Sequence, residues 1–261
     1  MLELFSLKQK VAVITGASRG LGRTMAKGLA AAGAQVVLVA RDEAKLNETR
    51  DDILAEGGQA SVLALDLADE EAIRTGIRRI GGELGRIDIC VNNAGVINWQ
   101  PVLESDVEDF ERIMDTNVKA AFVMSQECAA FMRAGSRGGR IVNIGSILST
   151  LGRAKLHAYC ASKSAIVGLT RSLAAELGRE NITANVIAPG YFISDINASL
   201  TSRPGYIEAV SGVTPMERWG RAEELVGTLI YLASDASSFV TGQVIHVDGG
   251  IQATFTFQLA A

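Results

Sequence analysis

The chain has 261 residues, 48% of them apolar and 21% charged, with a net charge of −4. That balance excludes a disordered polyelectrolyte and offers no basic footprint to a nucleic acid. No apolar run approaches the ~20 residues that cross a bilayer, and the start, M-L-E-L-F-S-L-K-Q-K, has no signal pattern. A soluble, cytoplasmic protein of one domain over 1–261 is expected. Cys90, Cys128 and Cys160 lack paired spacing and there are only two histidines, so neither a disulfide nor a metal is expected. Cys160, beside Tyr159, reads either as a reactive thiol or as a small buried filler.

Val11-Ala12-Val13-Ile14 is a short apolar run followed by Thr15-Gly16-Ala17-Ser18-Arg19-Gly20-Leu21-Gly22. Leu21, Met25 and Leu29 then recur at helical spacing, with Ala26 and Ala30 beside them. Strand, glycine turn and helix together present backbone N–H groups to a phosphate. Val36 to Arg41 is a second strand. In a dinucleotide fold its tip meets the adenosine ribose, where an acid would bind the 2′-hydroxyl of NAD. Ala40 and Arg41 stand there instead, and Arg41 with Arg19 can clasp a 2′-phosphate, so NADP(H) is expected over NAD(H). A helix over 43–56 and a strand over 60–65 lead to Asp66, which reads equally as a helix cap or as a partner of an adenine amine. Another helix runs to Leu84, and a fourth strand, 87–91, ends in Asn92-Asn93-Ala94-Gly95.

A long helix is expected over 106–132. Phe110, Met114, Asn117, Ala121 and Phe122 share one stripe, which puts an amide on an apolar face. Asn117 is either a core amide bonded to local backbone, which its spacing alone favours, or the mark of a helix break that holds water. A fifth strand, 141–144, precedes Ser146. The next helix, about 155–178, carries Tyr159 and Lys163 one turn apart, with a four-residue row of Ala161, Ala165, Leu169, Leu173 and Leu177. A hydroxyl, a phenol and an ammonium that converge make a proton-transfer device, in which the cation lowers the phenol from its usual ~10. A sixth strand, 182–187, stops at Pro189-Gly190. An irregular stretch over 191–219 reads as a substrate-covering loop, and helix 222–232 and strand 244–247 complete the chain. The alternation predicts an α/β fold: a doubly wound, Rossmann-like parallel sheet of about seven strands with helices on both faces.

Six features in order carry a resemblance: Thr15-Gly-x-x-x-Gly-x-Gly22, Asn92-Asn-Ala-Gly95, Asn117, Ser146, Tyr159-x-x-x-Lys163 and Pro189-Gly190. Together they resemble the single-domain short-chain dehydrogenase/reductase family over nearly the whole chain. The resemblance implies a catalytic tetrad of Asn117, Ser146, Tyr159 and Lys163, which reverses the spacing-only reading of Asn117 and gives it a water linking Lys163 to solvent. It implies that Lys163 also holds the nicotinamide ribose. It implies cofactor contacts at Gly16, Ser18, Arg19, Gly20, Leu21, Gly22, Arg41, Asp66, Leu67, Asn92, Asn93, Ala94, Gly95, Tyr159, Lys163, Pro189, Gly190 and Phe192. It implies a further cofactor contact at Ser194, which stands where the family often has Thr and keeps the hydroxyl. The family is usually tetrameric, through its two long helices and last strand, and the tail Phe255-Thr-Phe257-Gln-Leu259 is apolar enough to join such an interface or to fray.

Within the family, Phe5-Ser-Leu, Leu151-Gly-Arg153, Ala188-Pro-Gly-Tyr-Phe192 and Thr214-Pro-x-x-Arg-Trp-Gly220 resemble the gluconate 5-dehydrogenase-like group. The implied activity is NADP(H)-dependent interconversion of a secondary alcohol and a ketone on a sugar acid or polyol. Asn98, Trp99, Arg153, His157 and Tyr191 are candidates for the substrate pocket. Arg153 is either a carboxylate partner or a surface arginine. The alternative is a 3-oxoacyl-acyl-carrier-protein reductase, which needs a basic docking patch by the entrance; Arg133, Arg137 and Arg140 are available. A nonenzymatic NADP-binding sensor is the remote third.

Overall fold

The computed structural model describes residues 2–193 and 201–254; Ser194 and the tail residues Phe255, Phe257 and Leu259 lie outside them. Seven strands form one sheet: β1 Val11–Thr15, β2 Gln35–Ala40, β3 Gln59–Ala64, β4 Ile89–Asn92, β5 Gly139–Ile144, β6 Ile182–Pro189 and β7 Val244–Val247. Their order is β3-β2-β1-β4-β5-β6-β7 and all pairings are parallel. The order reverses between β1 and β4, so a crevice opens there at the carboxyl ends of the strands.

Because strand side chains alternate between faces, the sheet carries two separate cores. Ala12, Ile14, Val36 and Leu38 point to one side, against Met25, Ala26 and Leu29 of helix α1 (Gly20–Ala31) and Leu229 and Leu232 of a helix near the end of the chain. Val11, Val13, Val37 and Val39 point to the other, against Ile73, Ile77 and Ile80 of α3 (Glu70–Leu84). Helix α2 (Glu43–Ala55) is capped by Asp42 and α3 by Asp69, each accepting a backbone N–H one turn on. Asp69 therefore takes the capping role that Asp66 was one candidate for.

The expected helix over 106–132 is broken. It runs as α4 (Val107–Met114), a π turn (Asp115–Lys119) and α5 (Ala120–Ala134). The wider turn shifts the register, so Phe110 and Phe122 end 39% and 42% exposed while Ile113, Val123 and Met124 are buried. Helix α6 spans His157–Leu177. Its core face is Ile166, Thr170, Ala174 and Leu177; the row of Ala161, Ala165, Leu169 and Leu173 lies beside that face and is partly open. The 191–219 stretch folds, among its described residues, into helix α7 (Tyr206–Val213). Helix α8 (Val226–Ala233) follows a short 3₁₀ turn and supplies Leu229 and Leu232 to the first core.

A polar ladder crosses the interior beneath the crevice. Asn92 donates to Asn143 and Ser125, and Asn143 donates to Thr170. Each of these buried groups is paired, which avoids the roughly 1–3 kcal/mol cost of an orphan. It also corrects the expectation for Asn92: its side chain is used to bind β4 to β5 and α5, and the neighbouring Asn93 faces the crevice.

Candidate active site

The crevice is a cleft of about 910 Å³ along the carboxyl edge of the sheet. Its floor is the turn between β1 and α1, where Gly16 has φ +69° and Gly22 leaves no space: a Cβ there would lie 2.1 Å from the Gly16 carbonyl oxygen. Asn93 donates its side-chain amide to the Thr15 carbonyl at 2.9 Å, and Thr15 Oγ1 accepts the N–H groups of Asn93 and Ala94, both at 3.0 Å. The glycine turn and the Asn93-Ala94 loop are thus stitched into one rigid rim. Helix α1 begins at Arg19 with no side-chain cap, so its first amides are left for a ligand. A bare helix amino terminus over a glycine cradle fits a pyrophosphate.

Gly16, Ser18, Arg19, Gly20, Leu21 and Gly22 line this floor. Arg41, Asp66 and Leu67 line one end, while Asn93, Ala94 and Gly95 line the middle. Ser146, Tyr159, Lys163, Pro189, Gly190 and Phe192 close the other end. At the β2 tip Lys45 joins Arg19 and Arg41, a third cation that the sequence reading missed although it lies one helical turn beyond Arg41. Asp42 also borders the cleft, but its carboxylate caps α2 and pairs with Lys45. Asp66 accepts the Ala68 N–H and lies 3.9 Å from Arg41. Arg112 and Thr116 complete the wall; nothing in their spacing announced them.

At the other end β5 delivers Ser146 and α6 delivers Tyr159 and Lys163. Ser146 caps a 3₁₀ turn, its hydroxyl oxygen accepting the Leu148 N–H at 3.1 Å, and it is hydrogen-bonded to the Tyr159 phenol. Lys163 is 4% exposed, and its Nζ lies 5.6 Å from the Tyr159 ring centre and donates to the Ile144 carbonyl at 2.7 Å. Asn117 sits in the π turn. Its Oδ1 accepts the Val96 N–H at 2.8 Å, and its amide donates to the Val96 carbonyl and to Ser162 Oγ, both at 3.0 Å. Ser162 in turn donates to the Tyr159 carbonyl at 2.8 Å. Both readings of Asn117 thus hold in part: the helix does break there, and the side chain is a satisfied core amide. Its hydrogens are committed to protein atoms.

Burial pushes Tyr159 up to about 12, against a smaller lowering by the Ser146 hydrogen bond. Burial pulls Lys163 down to about 8. The expectation that the amine makes the phenol acidic is not met: in this dry corner desolvation favours the neutral form of both groups.

The substrate candidates separate into two groups. Asn98 donates to Asp109 at 2.6 Å, and Asp109 also pairs with Arg112. Hydrogen bonds from Asn98 and Arg112 hold Asp109 below the usual carboxylate range, with a smaller contribution from His157. Trp99, Arg153 and Tyr191 form the other group, joined by Tyr206 and Trp219, which the sequence reading did not single out. Arg133, Arg137 and Arg140 are not by the entrance. Arg140 opens β5 at the opposite edge of the sheet and pairs with Asp235, and Arg133 pairs with Glu180.

A parallel seven-stranded sheet with a dinucleotide-sized cleft and a Tyr-x-x-x-Lys helix at its rim defines a nicotinamide-type oxidoreductase fold. The chain belongs to the short-chain dehydrogenase/reductase family: the family model described as enoyl-(acyl carrier protein) reductase matches residues 16–252. It is 43% identical over 249 residues to a gluconate 5-dehydrogenase of Gluconobacter oxydans, covering 95% of this chain and 97% of that one. It is 40% identical over 252 residues to a rhamnolipid-biosynthesis 3-oxoacyl-acyl-carrier-protein reductase of Pseudomonas aeruginosa, covering 94% and 97%. Its fold is similar to the crystal structure of a gluconate 5-dehydrogenase from Burkholderia cenocepacia in complex with NADP and tartrate. That likeness has a TM-score of 0.94 at 37% identity, over 97% of this chain and 99% of the other.

Proposed function

We propose that the protein interconverts a secondary alcohol and a ketone on a sugar acid or related polyol, using NADP(H). The observation that carries this reading is the convergence of Ser146, Tyr159 and Lys163 at one end of a cleft whose other end gathers Arg19, Arg41 and Lys45. A nicotinamide dinucleotide, when bound, supplies or accepts the hydride. The α1 turn from Gly16 to Gly22 holds its pyrophosphate, Asp66 and Leu67 flank the adenine, and Pro189, Gly190 and Phe192 border the nicotinamide. Asn93, Ala94 and Gly95 let backbone pass close between them. The three cations favour a 2′-phosphate, because among the described residues no free acid stands at the β2 tip, where Asp42 caps α2 and pairs with Lys45.

In reduction Tyr159 gives its proton to the carbonyl oxygen. Ser146 accepts from the Leu148 N–H and so keeps its own proton to donate to that same oxygen. In oxidation the phenol must first lose its proton. Lys163 lies against the ring and holds the ribose side of the cofactor. Asn117 fixes the Val96 loop and, through Ser162, the start of α6; a water on a proton path would have to bind main chain at the π turn.

A 3-oxoacyl carrier reductase is the second reading, favoured by the similarity to the Pseudomonas aeruginosa enzyme. The position of Arg133 and Arg140 at the far edge of the sheet counts against it. NADPH consumption with 5-ketogluconate, related keto-sugars and a short 3-oxoacyl thioester separates the two, and turnover of the thioester alone removes the sugar-acid reading. We also propose a cytoplasmic homotetramer, supported by the exposed Phe110 and Phe122 on α4 and α5 and by the open edge of β7. A monomer in sedimentation would overturn the assembly.

A further inference from the structure

Arg153 lies in the turn between β5 and α6, and its guanidinium is boxed. Its central carbon stands 4.8 Å from the Trp99 ring centre, 5.5 Å from Tyr191 and 5.9 Å from Tyr206. Its two terminal nitrogens donate to the Tyr191 and Tyr206 hydroxyls, both at 2.9 Å. Trp219 backs both tyrosines, with ring centres 5.5 and 6.0 Å away. This is not a solvated surface arginine. Rings and phenols fix the plane and direction of the cation, and little rotamer freedom is left to lose when it binds something.

The cage does not neutralise the charge. Two of the five N–H groups go to phenols, and no carboxylate among the described residues pairs with Arg153. The other arginines of this region that carry partners are already neutralised, Arg112 by Asp109 and Arg218 by Glu224. A half-desolvated guanidinium with free N–H groups is completed best by a planar anion that accepts two of them. The cage also adjoins the reacting end. Trp99, Tyr191 and Tyr159 belong to one apolar cluster around Ile147, Leu148 and Leu156, and Tyr191 directly precedes Phe192 of the cleft wall.

We infer that Arg153 receives the carboxylate of the substrate and is the residue that selects a sugar acid over a neutral sugar. The inference rests on the sugar-acid reading above. The competing role is mechanical: Arg153 also ties its turn to α7, so it can act as a latch that holds this wall in place whatever the substrate.

The test is the ratio of kcat/KM for 5-ketogluconate to that for the neutral keto-sugar with a hydroxymethyl group in place of the carboxylate. For Arg153→Met the ratio should fall about 10- to 100-fold, the span of one charge-assisted contact. Arg153→Lys should recover part of it, and Tyr206→Phe, which loosens the latch and keeps the charge, should leave the ratio near that of the wild type. Equal losses on both substrates in Arg153→Met, or a ratio that does not move, would overturn the role. If the wild type turns over only the thioester, the sugar-acid reading fails by itself. Arg153 is then judged by competitive inhibition with tartrate: inhibition weakened in Arg153→Met sustains an anion site, and equal inhibition of both proteins removes it.

Discussion

Lys163→Met should make the protein more stable at neutral pH while removing its activity. The lysine is 4% exposed, and burial alone draws its pKa from 10.5 to about 8. At 1.36 kcal/mol per unit that displacement costs the folded state about 3 kcal/mol when the amine is charged. Methionine fills the same space without the charge but forfeits the 2.7 Å hydrogen bond to the Ile144 carbonyl, worth about 1 kcal/mol. The net gain is about 2 kcal/mol, or about 4–8 °C in Tm for a chain of this size. Below pH 8 the lysine is protonated in folded and unfolded chains alike, and the penalty is complete. Between 8 and 10.5 the unfolded chain binds more protons, so wild-type stability rises with pH relative to the variant. Above 10.5 the penalty is gone and only the hydrogen bond remains, so the order of stability reverses. Urea unfolding of both nucleotide-free proteins from pH 6.5 to 11 measures this. A variant less stable than wild type at pH 7, or a gap that ignores pH, would refute the burial argument.

Three further outcomes follow from the two ends of the cleft. With Tyr159 pushed up to about 12, the phenol is protonated through the neutral range, so reduction should be nearly flat from pH 6 to 9 while oxidation climbs with pH. An oxidation profile that levels off near pH 7 would show instead that the phenol is acidic in the working complex. Tyr159→Phe should lower turnover by about 10²–10⁴-fold, the span of a lost general acid, with NADPH binding by fluorescence retained; substantial residual turnover would contradict the proton role. Arg19→Ala with Arg41→Ala should raise KM for NADPH by about 10- to 100-fold, because charge-assisted contacts to a phosphate are lost. KM for NADH should change little, and equal effects on both nucleotides would place these arginines outside the 2′-phosphate site.

The fold was legible wherever burial is one-sided or complete. Val36 to Ala40 reads as a continuous apolar run because both faces of β2 are covered, and α3 shows a clean stripe because only one of its faces is. The reading slipped where backbone geometry changes without a change in composition. The π turn at Asp115–Lys119 contains no glycine or proline; its one cue is Asn117 on the apolar stripe, which spacing alone reads as a core amide rather than as the break that rotates the second half of the helix. Periodicity also picked the wrong row on α6. Ala161, Ala165, Leu169 and Leu173 are regular, but α6 places Ile166, Thr170 and Ala174 against the body of the protein, and two of those three are small or polar. Thr170 belongs there because Asn143 needs its hydroxyl.

For the site, residue type and spacing brought Ser146, Tyr159 and Lys163 together, yet gave the wrong sign for the phenol. A pKa depends on what has been removed from around a group as much as on what is beside it. Four residues on a helix describe the neighbour but not the lost water. The same distinction governs Arg153, whose triplet with Leu151 and Gly152 carries no sign of a cage built from Trp99, Tyr191, Tyr206 and Trp219, four residues scattered over 120 positions of chain. The phenol's wrong sign and the open choice between a carboxylate partner and a surface arginine for Arg153 have one physical origin. The acid and base strength of Tyr159 and Lys163, and the unmet charge of Arg153, are set by tertiary desolvation at the end of the cleft where the substrate must enter. The protonated phenol suits a proton donor waiting for a carbonyl, and the uncompensated cation of Arg153 suits an anion at the other end of the same small molecule.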